Sequence, residues 1–172
     1  MEVLVRQEGA GDAPAGSSEG HLHLAASWQR DAPPPPADPA RLVLQLRSLR
    51  GLSSVRRQVG EFLRTSLPPA LGDGVVDDAV DSAVLVIDEM TSNALRHGRP
   101  PSDLHIGDEP GRWTVVVTDA APDLVPVPAV NRPAGAGGYG LYVITDLTAS
   151  HGVHYERDRK MVWATVLKPD GP

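Results

Sequence analysis

Val76, Val80, Ala83, Ile87, Met90 and Ala94 recur at spacings of four, three, four, three and four, the period of a helix with one apolar face. A helix of this kind needs a layer to lie against, and the rest of the chain has to supply it. Gly98 and Pro100-Pro101 bring it to an end, because glycine stops helices readily and proline lacks the amide that would extend one. At its start Asp73 is a candidate N-cap, and Asp77 and Asp78 suit the positive end of the helix dipole. The same helix carries Glu89 and Asn93, one turn apart on one face, with Arg96 or His97 a turn further on. A carboxylate can accept a proton or hold a water, and a carboxamide oxygen can coordinate a hard cation such as Mg2+. His97 reads as a residue satisfied by the helix dipole and the last carbonyls.

The elements around this helix follow from their own patterns. Leu42, Leu44 and Leu46 alternate with Val43, Gln45 and Arg47, as in a half-buried strand. Leu52, Val55, Val59, Phe62 and Leu63 are spaced as in a helix that ends before Pro68-Pro69. Strands are predicted at 104–107 and 112–119 with a turn over 108–111 between them. A Pro-rich loop over about 120–136 then leads to a short helix from Leu141 to Leu147. A terminal hairpin is predicted from 153–156 and 161–167, turning at 157–160. Strands and helices mixed in this order point to an α+β fold, a two-layer α/β sandwich whose mostly antiparallel sheet is covered by helices on one face. Residues 1–38 read as a disordered Pro/Gly-rich tail that includes the polyproline run Pro33 to Pro36. Within it His21 to Trp28 could add a strand or dock on a partner, and the expectation is that it is mostly mobile. The domain occupies 39–168, and 169–172 form a C-terminal tail.

Composition removes several function classes. A formal charge of -6 and a pI near 5.4 provide no basic face for sequence-independent nucleic-acid binding. The absence of cysteine excludes disulfides, thiolate zinc sites and cysteine nucleophiles. No apolar run approaches the roughly 20 residues that span a bilayer. The N-terminus has no basic region followed by a sustained apolar stretch, so a cytoplasmic location is expected.

Two further segments could complete a site with Glu89 and Asn93. Gly135-Ala-Gly137-Gly138-Tyr139-Gly140-Leu141 precedes a helix, where glycines permit close backbone approach and free amides attract phosphate. Val115-Val-Val-Thr-Asp119 is an apolar strand ending in an acid that could accept a hydrogen bond from an exocyclic amine.

In this order, the Glu89-x-x-x-Asn93-Ala94-x-x-His97-Gly98 helix, the strand ending at Asp119 and the Gly137-Gly-Tyr-Gly-Leu141 loop resemble the GHKL (Bergerat-fold) ATP-binding superfamily. Within it, the chain is most similar to the small anti-sigma factor serine kinases and related actinobacterial ATP-binding regulatory proteins, over about residues 40 to 168. The resemblance implies ATP and Mg2+ as cofactors. Asn93 would hold the metal against the triphosphate, Glu89 would be the general base, and Asp119 would read the adenine amino group. Ala121 and the loop Gly137, Gly138, Tyr139, Gly140 and Leu141 would line the nucleotide, with about 121–136 as a lid. It further implies a protein serine/threonine kinase that phosphorylates an anti-anti-sigma antagonist and sequesters a sigma factor. Several such kinases act as dimers, which makes a homodimer compatible with the resemblance.

The chain departs from the superfamily in two places. Asp119-Ala-Ala121-Pro122-Asp123 stands where the superfamily typically has Asp-x-Gly-x-Gly, and Tyr139 stands where a basic residue is common. The alternative these departures raise is a catalytically weak or inactive ATP-binding module that acts by docking alone.

Overall fold

Alternation along the strands decides which face of the sheet the helices cover. In the computed structural model, which describes residues 26–28, 30–37, 39–127 and 139–170, the order is β1 (Leu42–Leu46), α1 (Leu52–Thr65), α2 (Asp73–His97), β2 (Ser102–Glu109), β3 (Arg112–Asp119), α3 (Gly140–Leu147), β4 (Ser150–Tyr155) and β5 (Lys160–Leu167). The strands form one sheet in the order β1-β2-β3-β5-β4, with every neighbouring pair antiparallel. Leu104 and Ile106 of β2, Trp113, Val115 and Val117 of β3, and Ala164 and Val166 of β5 are buried in one core. Against them pack Val55, Val59 and Leu63 of α1 and Val80, Ala83, Val86, Ile87, Met90 and Ala94 of α2. The architecture is the α+β sandwich expected from the sequence.

Trp113 ties the layers together. Its ring is fully buried and its indole N–H donates to Ser66 Oγ at 2.8 Å, just beyond α1. Truncating a buried aromatic of this size costs about 3–5 kcal/mol, so this contact is a main support of the helix layer.

Three local expectations are corrected. Asp73 is not the N-cap of α2. Gly72 takes that position in extended conformation with no side-chain cap, and Asp73 opens the helix. The turn expected over 108–111 is shorter, because β2 runs through Glu109. Gly111 adopts φ +75°, and a proline followed by a positive-φ glycine reverses the chain within two residues. The third correction concerns residues 26–37, expected in the tail.

In that segment Trp28 is fully buried and its ring stacks on His151 with centroids 4.6 Å apart. Asp31 forms a parallel bridge with Val153 of β4, and the Ala32 amide donates to the Val153 carbonyl at 2.8 Å. Trp163 donates its indole N–H to the Ala32 carbonyl at 2.7 Å, and Arg112 reaches the Pro36 carbonyl at 3.2 Å. A polyproline stretch makes no internal hydrogen bonds, which leaves its carbonyls available to the sheet. The segment thereby covers the β4 edge, whose unpaired backbone groups would otherwise be exposed.

Candidate functional site

The face of α2 that carries Glu89 and Asn93 meets the first residue of α3. Gly140 is buried so closely against them that a β-carbon there would collide with Glu89 Oε2 and lie 3.2 Å from its Cδ and 3.5 Å from Asn93 Nδ2. The requirement for glycine at this position is therefore one of space. Glu89 and Asn93 are half-buried, and among the described residues neither side chain has a hydrogen-bond partner. The amides at the N-terminus of α3, which carry partial positive charge, begin immediately beside the carboxylate and the carboxamide.

The C-terminal end of the same helix packs on Asp119. A β-carbon on Gly98 would lie 2.6 Å from Asp119 Cγ and 2.8 Å from its Oδ2. The sequence reads Gly98 as a helix stop, but its backbone at φ -89°, ψ -168° is ordinary extended chain. Glycine is needed there because the last strand residue of β3 approaches so closely.

Asp119 is 2% exposed. Its Oδ1 accepts the Ala121 amide at 2.9 Å, and its Oδ2 lies 3.4 Å from the Lys160 ammonium. Lys160 in turn donates to the Leu124 carbonyl at 2.7 Å. Arg99 clamps Asp123 through two hydrogen bonds of 2.6 and 3.0 Å, and its guanidinium holds the Asp123 carboxyl below the usual carboxylate range. The Arg99 carbonyl accepts the Ala120 amide at 2.8 Å, and the Leu124 amide closes a turn onto the Ala121 carbonyl at 3.1 Å. Segment 120–124 is thus pinned at several points. The departure at Ala121 and Pro122 has a structural role, in which the Ala121 methyl is fully buried and its amide orients Asp119.

Of the residues the sequence nominates, Glu89, Asn93 and Gly140 are brought together, and Asp119 lies with Ala121 just beyond the C-terminal end of α2, against Gly98. Leu141 is 7% exposed and packs in the core, so only its backbone is left for a ligand. Tyr139 is 49% exposed, its ring 6.0 Å from that of Tyr142. Arg96 and His97 are exposed. Gly137, Gly138 and the lid beyond residue 127 lie outside the described residues. Lys160 was missed. It opens β5 directly opposite Asp119 in the β3–β5 register, whereas the sequence places it in the turn over 157–160, and its position follows from strand register and not from any local signal.

Among the described residues no group of three or more His, Cys, Asp or Glu side chains could hold a metal. A cation at Asn93 would therefore need most of its ligands from a bound phosphate and water, the way Mg2+ is usually held. No helix among the described residues is long and apolar enough to cross a membrane.

The family described as histidine kinase-like ATPase domain matches residues 48–166, which take in Glu89, Asn93, Asp119 and Gly140. No curated protein matches the chain significantly. Among solved structures, the histidine kinase AdeS of Acinetobacter baumannii is similar at 12% identity over 90% of this chain and 77% of that one, with a TM-score of 0.40.

Proposed function

The chain belongs to the histidine kinase-like ATPase family, and on that premise we propose that it is an ATP-dependent protein serine/threonine kinase of the anti-sigma type. It would phosphorylate a small anti-anti-sigma antagonist and sequester a sigma factor in the cytoplasm. The observation that carries the reading is the seating of Gly140 on Glu89 and Asn93, which puts a carboxylate, a carboxamide and a helix N-terminus in one place. From Glu89 to Gly98, which abuts Asp119, is nine residues, or about 13 Å of helix. That separation suits a nucleotide with its phosphates at one end and its base at the other.

Bound MgATP would supply the transferable phosphoryl group and the charge that neutralises it. The protein's part is positioning and electrostatics. Asn93 offers its amide oxygen to the metal. The amides opening α3 face the phosphates, where the helix dipole favours negative charge. Glu89 would accept the proton of a serine hydroxyl on the protein substrate as that oxygen attacks the γ-phosphorus and the bond to the bridging oxygen breaks, releasing ADP. Asp119, aimed by the Ala121 amide, accepts from the exocyclic amine of the base.

Glu89→Ala is expected to retain MgATP binding and to lose phosphotransfer by about 10²–10⁴-fold, the usual worth of a general base. Radiolabel transfer from ATP to a candidate antagonist is the measurement. Undiminished transfer by Glu89→Ala would sink the catalytic assignment.

A second reading, an interaction module without transfer, is favoured by one observation. Both carboxylate oxygens of Asp119 are already engaged by Ala121 and Lys160, which could leave little for a base to bind. Phosphorylation of any partner above background by the wild-type protein rules it out.

A further inference from the structure

α3 is eight residues long, and no side chain caps its N-terminus with a hydrogen bond. So short a helix is marginal by itself, and its position is set by what holds each end. At its start Gly140 seats on Glu89 and Asn93. At its end stands His151 of β4, whose ring nitrogens lie 3.5 Å from Thr145 Oγ1 and 3.4 Å from Thr148 Oγ1. Those hydroxyls donate to the Leu141 and Ile144 carbonyls of the helix, at 2.9 and 2.6 Å. Trp28 stacks on His151 and is buried in the same core as Leu141 and Ile144. The N-terminal segment thus backs the helix that opens beside Glu89 and Asn93.

Docking of this segment is opposed as well as favoured. Among the described residues, three buried side-chain polar atoms lack a hydrogen-bond partner: Trp28 Nε1, Tyr155 Oη and Glu109 Oε1. All three lie where residues 26–37 dock. Trp28 belongs to the segment, the Tyr155 amide donates to Asp31 at 3.2 Å, and Arg112 joins Glu109 to the Pro36 carbonyl. A buried polar atom without a partner forfeits its hydrogen bond to water, and release of the segment restores it. Burial of the large Trp28 ring works the other way. Opposed contributions of this kind suit a strap that docks reversibly.

We propose that Trp28 is a positioning residue for phosphate binding. Docked, it fixes α3 so that Gly140 and the amides opening the helix stay against Glu89 and Asn93, and strap docking and nucleotide binding strengthen each other. The inference rests on the nucleotide-binding reading above. The Asp119 end is held by Ala121, Lys160 and Gly98, none of them in α3, so recognition of the base does not depend on the strap. Coupling between two sites is reciprocal. If the strap tightens the hold on phosphate, bound phosphate tightens the strap by the same factor.

Dissociation constants for MgATP and for adenosine, which carries no phosphate, are measured with wild type, Trp28→Ala and Trp28→Phe. Trp28→Ala should weaken MgATP by about tenfold or more, within the usual range of such couplings, and leave adenosine unchanged. Trp28→Phe keeps a ring on His151 and drops the unpartnered N–H, and it should hold the wild-type affinity for both. In wild type, saturating MgATP should slow hydrogen exchange of the Ala32 amide, which donates to the Val153 carbonyl, by a similar factor. Adenosine should not slow it.

Equal MgATP affinity in Trp28→Ala and wild type overturns the proposal. So does a Trp28→Ala protein that binds both ligands more weakly to the same extent, the mark of a merely structural residue, or Ala32 exchange that MgATP leaves unchanged. Should Trp28→Ala fail to fold, the exchange measurement on wild type decides alone. A wild type that binds neither ligand overturns the nucleotide-binding reading as well, whereas MgATP binding without these effects overturns this inference alone.

Discussion

The two ends of the candidate site are built on opposite principles. At the Asp119 end the groups are satisfied by the protein itself, with the carboxylate held between an amide and an ammonium, and the following turn fastened by Arg99 and Lys160. At the Glu89 end the carboxylate and carboxamide are half-buried beside Gly140, and among the described residues nothing hydrogen-bonds them. The first arrangement is preorganised to recognise. On the proposed reading, the second has capacity to spare and would be completed by a ligand that brings phosphate and a cation. On that reading, a fixed carboxylate at one end and a carboxylate–carboxamide pair without hydrogen-bond partners among the described residues at the other make a sensible division, because specificity gains from fixed polar groups, and chemistry needs groups still free to bind.

The difference can be broken first at the two glycines. Gly140→Ala puts a methyl onto Glu89 and Asn93, and the expected result is loss of MgATP binding by at least about 100-fold with the fold retained, since the nearest atom is the end of the flexible Glu89 side chain. Gly98→Ala meets Asp119 and the Ala94 carbonyl instead, where the pinned surroundings have nowhere to go. Its expected cost is about 1–3 kcal/mol of stability, with a smaller loss of affinity. Calorimetry and thermal unfolding on both variants separate the two. If each glycine affects affinity and stability equally, the contrast between the ends is wrong.

These positions also show how far the sequence could be read. Glu89 and Asn93 were visible from helix period, Asp119 as the acid that ends an apolar strand and Gly140 from the glycine-rich segment before a helix, and the resemblance to a family joined them into one site. Leu42–Leu46, Leu52–Thr65 and Arg112–Asp119 came out as elements from their own apolar patterns. Gly98 was noticed for the wrong cause, since a helix-stop reading is local and the contact with Asp119 is not. Lys160 and Trp28 were invisible to periodicity. One depends on the register between β3 and β5, the other on a segment whose polyproline run suppresses any helix or strand signal while its carbonyls bind the sheet.

The smallest expected effect lies away from the cleft, where Trp28 covers His151. Burial pushes the His151 imidazole below its ordinary value of 6.5, and its near neighbours are the hydroxyls of Ser27, Thr145 and Thr148 and the Trp28 ring. The folded protein therefore keeps this ring neutral while the unfolded chain binds a proton as pH falls through about 6.5. The unfolded state takes up more protons, so this contribution to stability is level above that pH and declines below it. A thermal midpoint that drops from about pH 8 to about pH 5, with a shallower drop in His151→Phe, is the expected outcome. Equal slopes in the two proteins would detach the N-terminal segment from any role for His151.

The central claim is that the open end of the cleft holds a magnesium-bound triphosphate. Its most direct test is calorimetric titration of MgATP into the wild-type protein and into Asn93→Ala. The prediction is saturable binding by wild type that requires Mg2+ and is lost in the variant, with both proteins giving the same far-ultraviolet circular dichroism. Wild-type binding that survives in Asn93→Ala, or no binding by wild type at millimolar nucleotide, would contradict it.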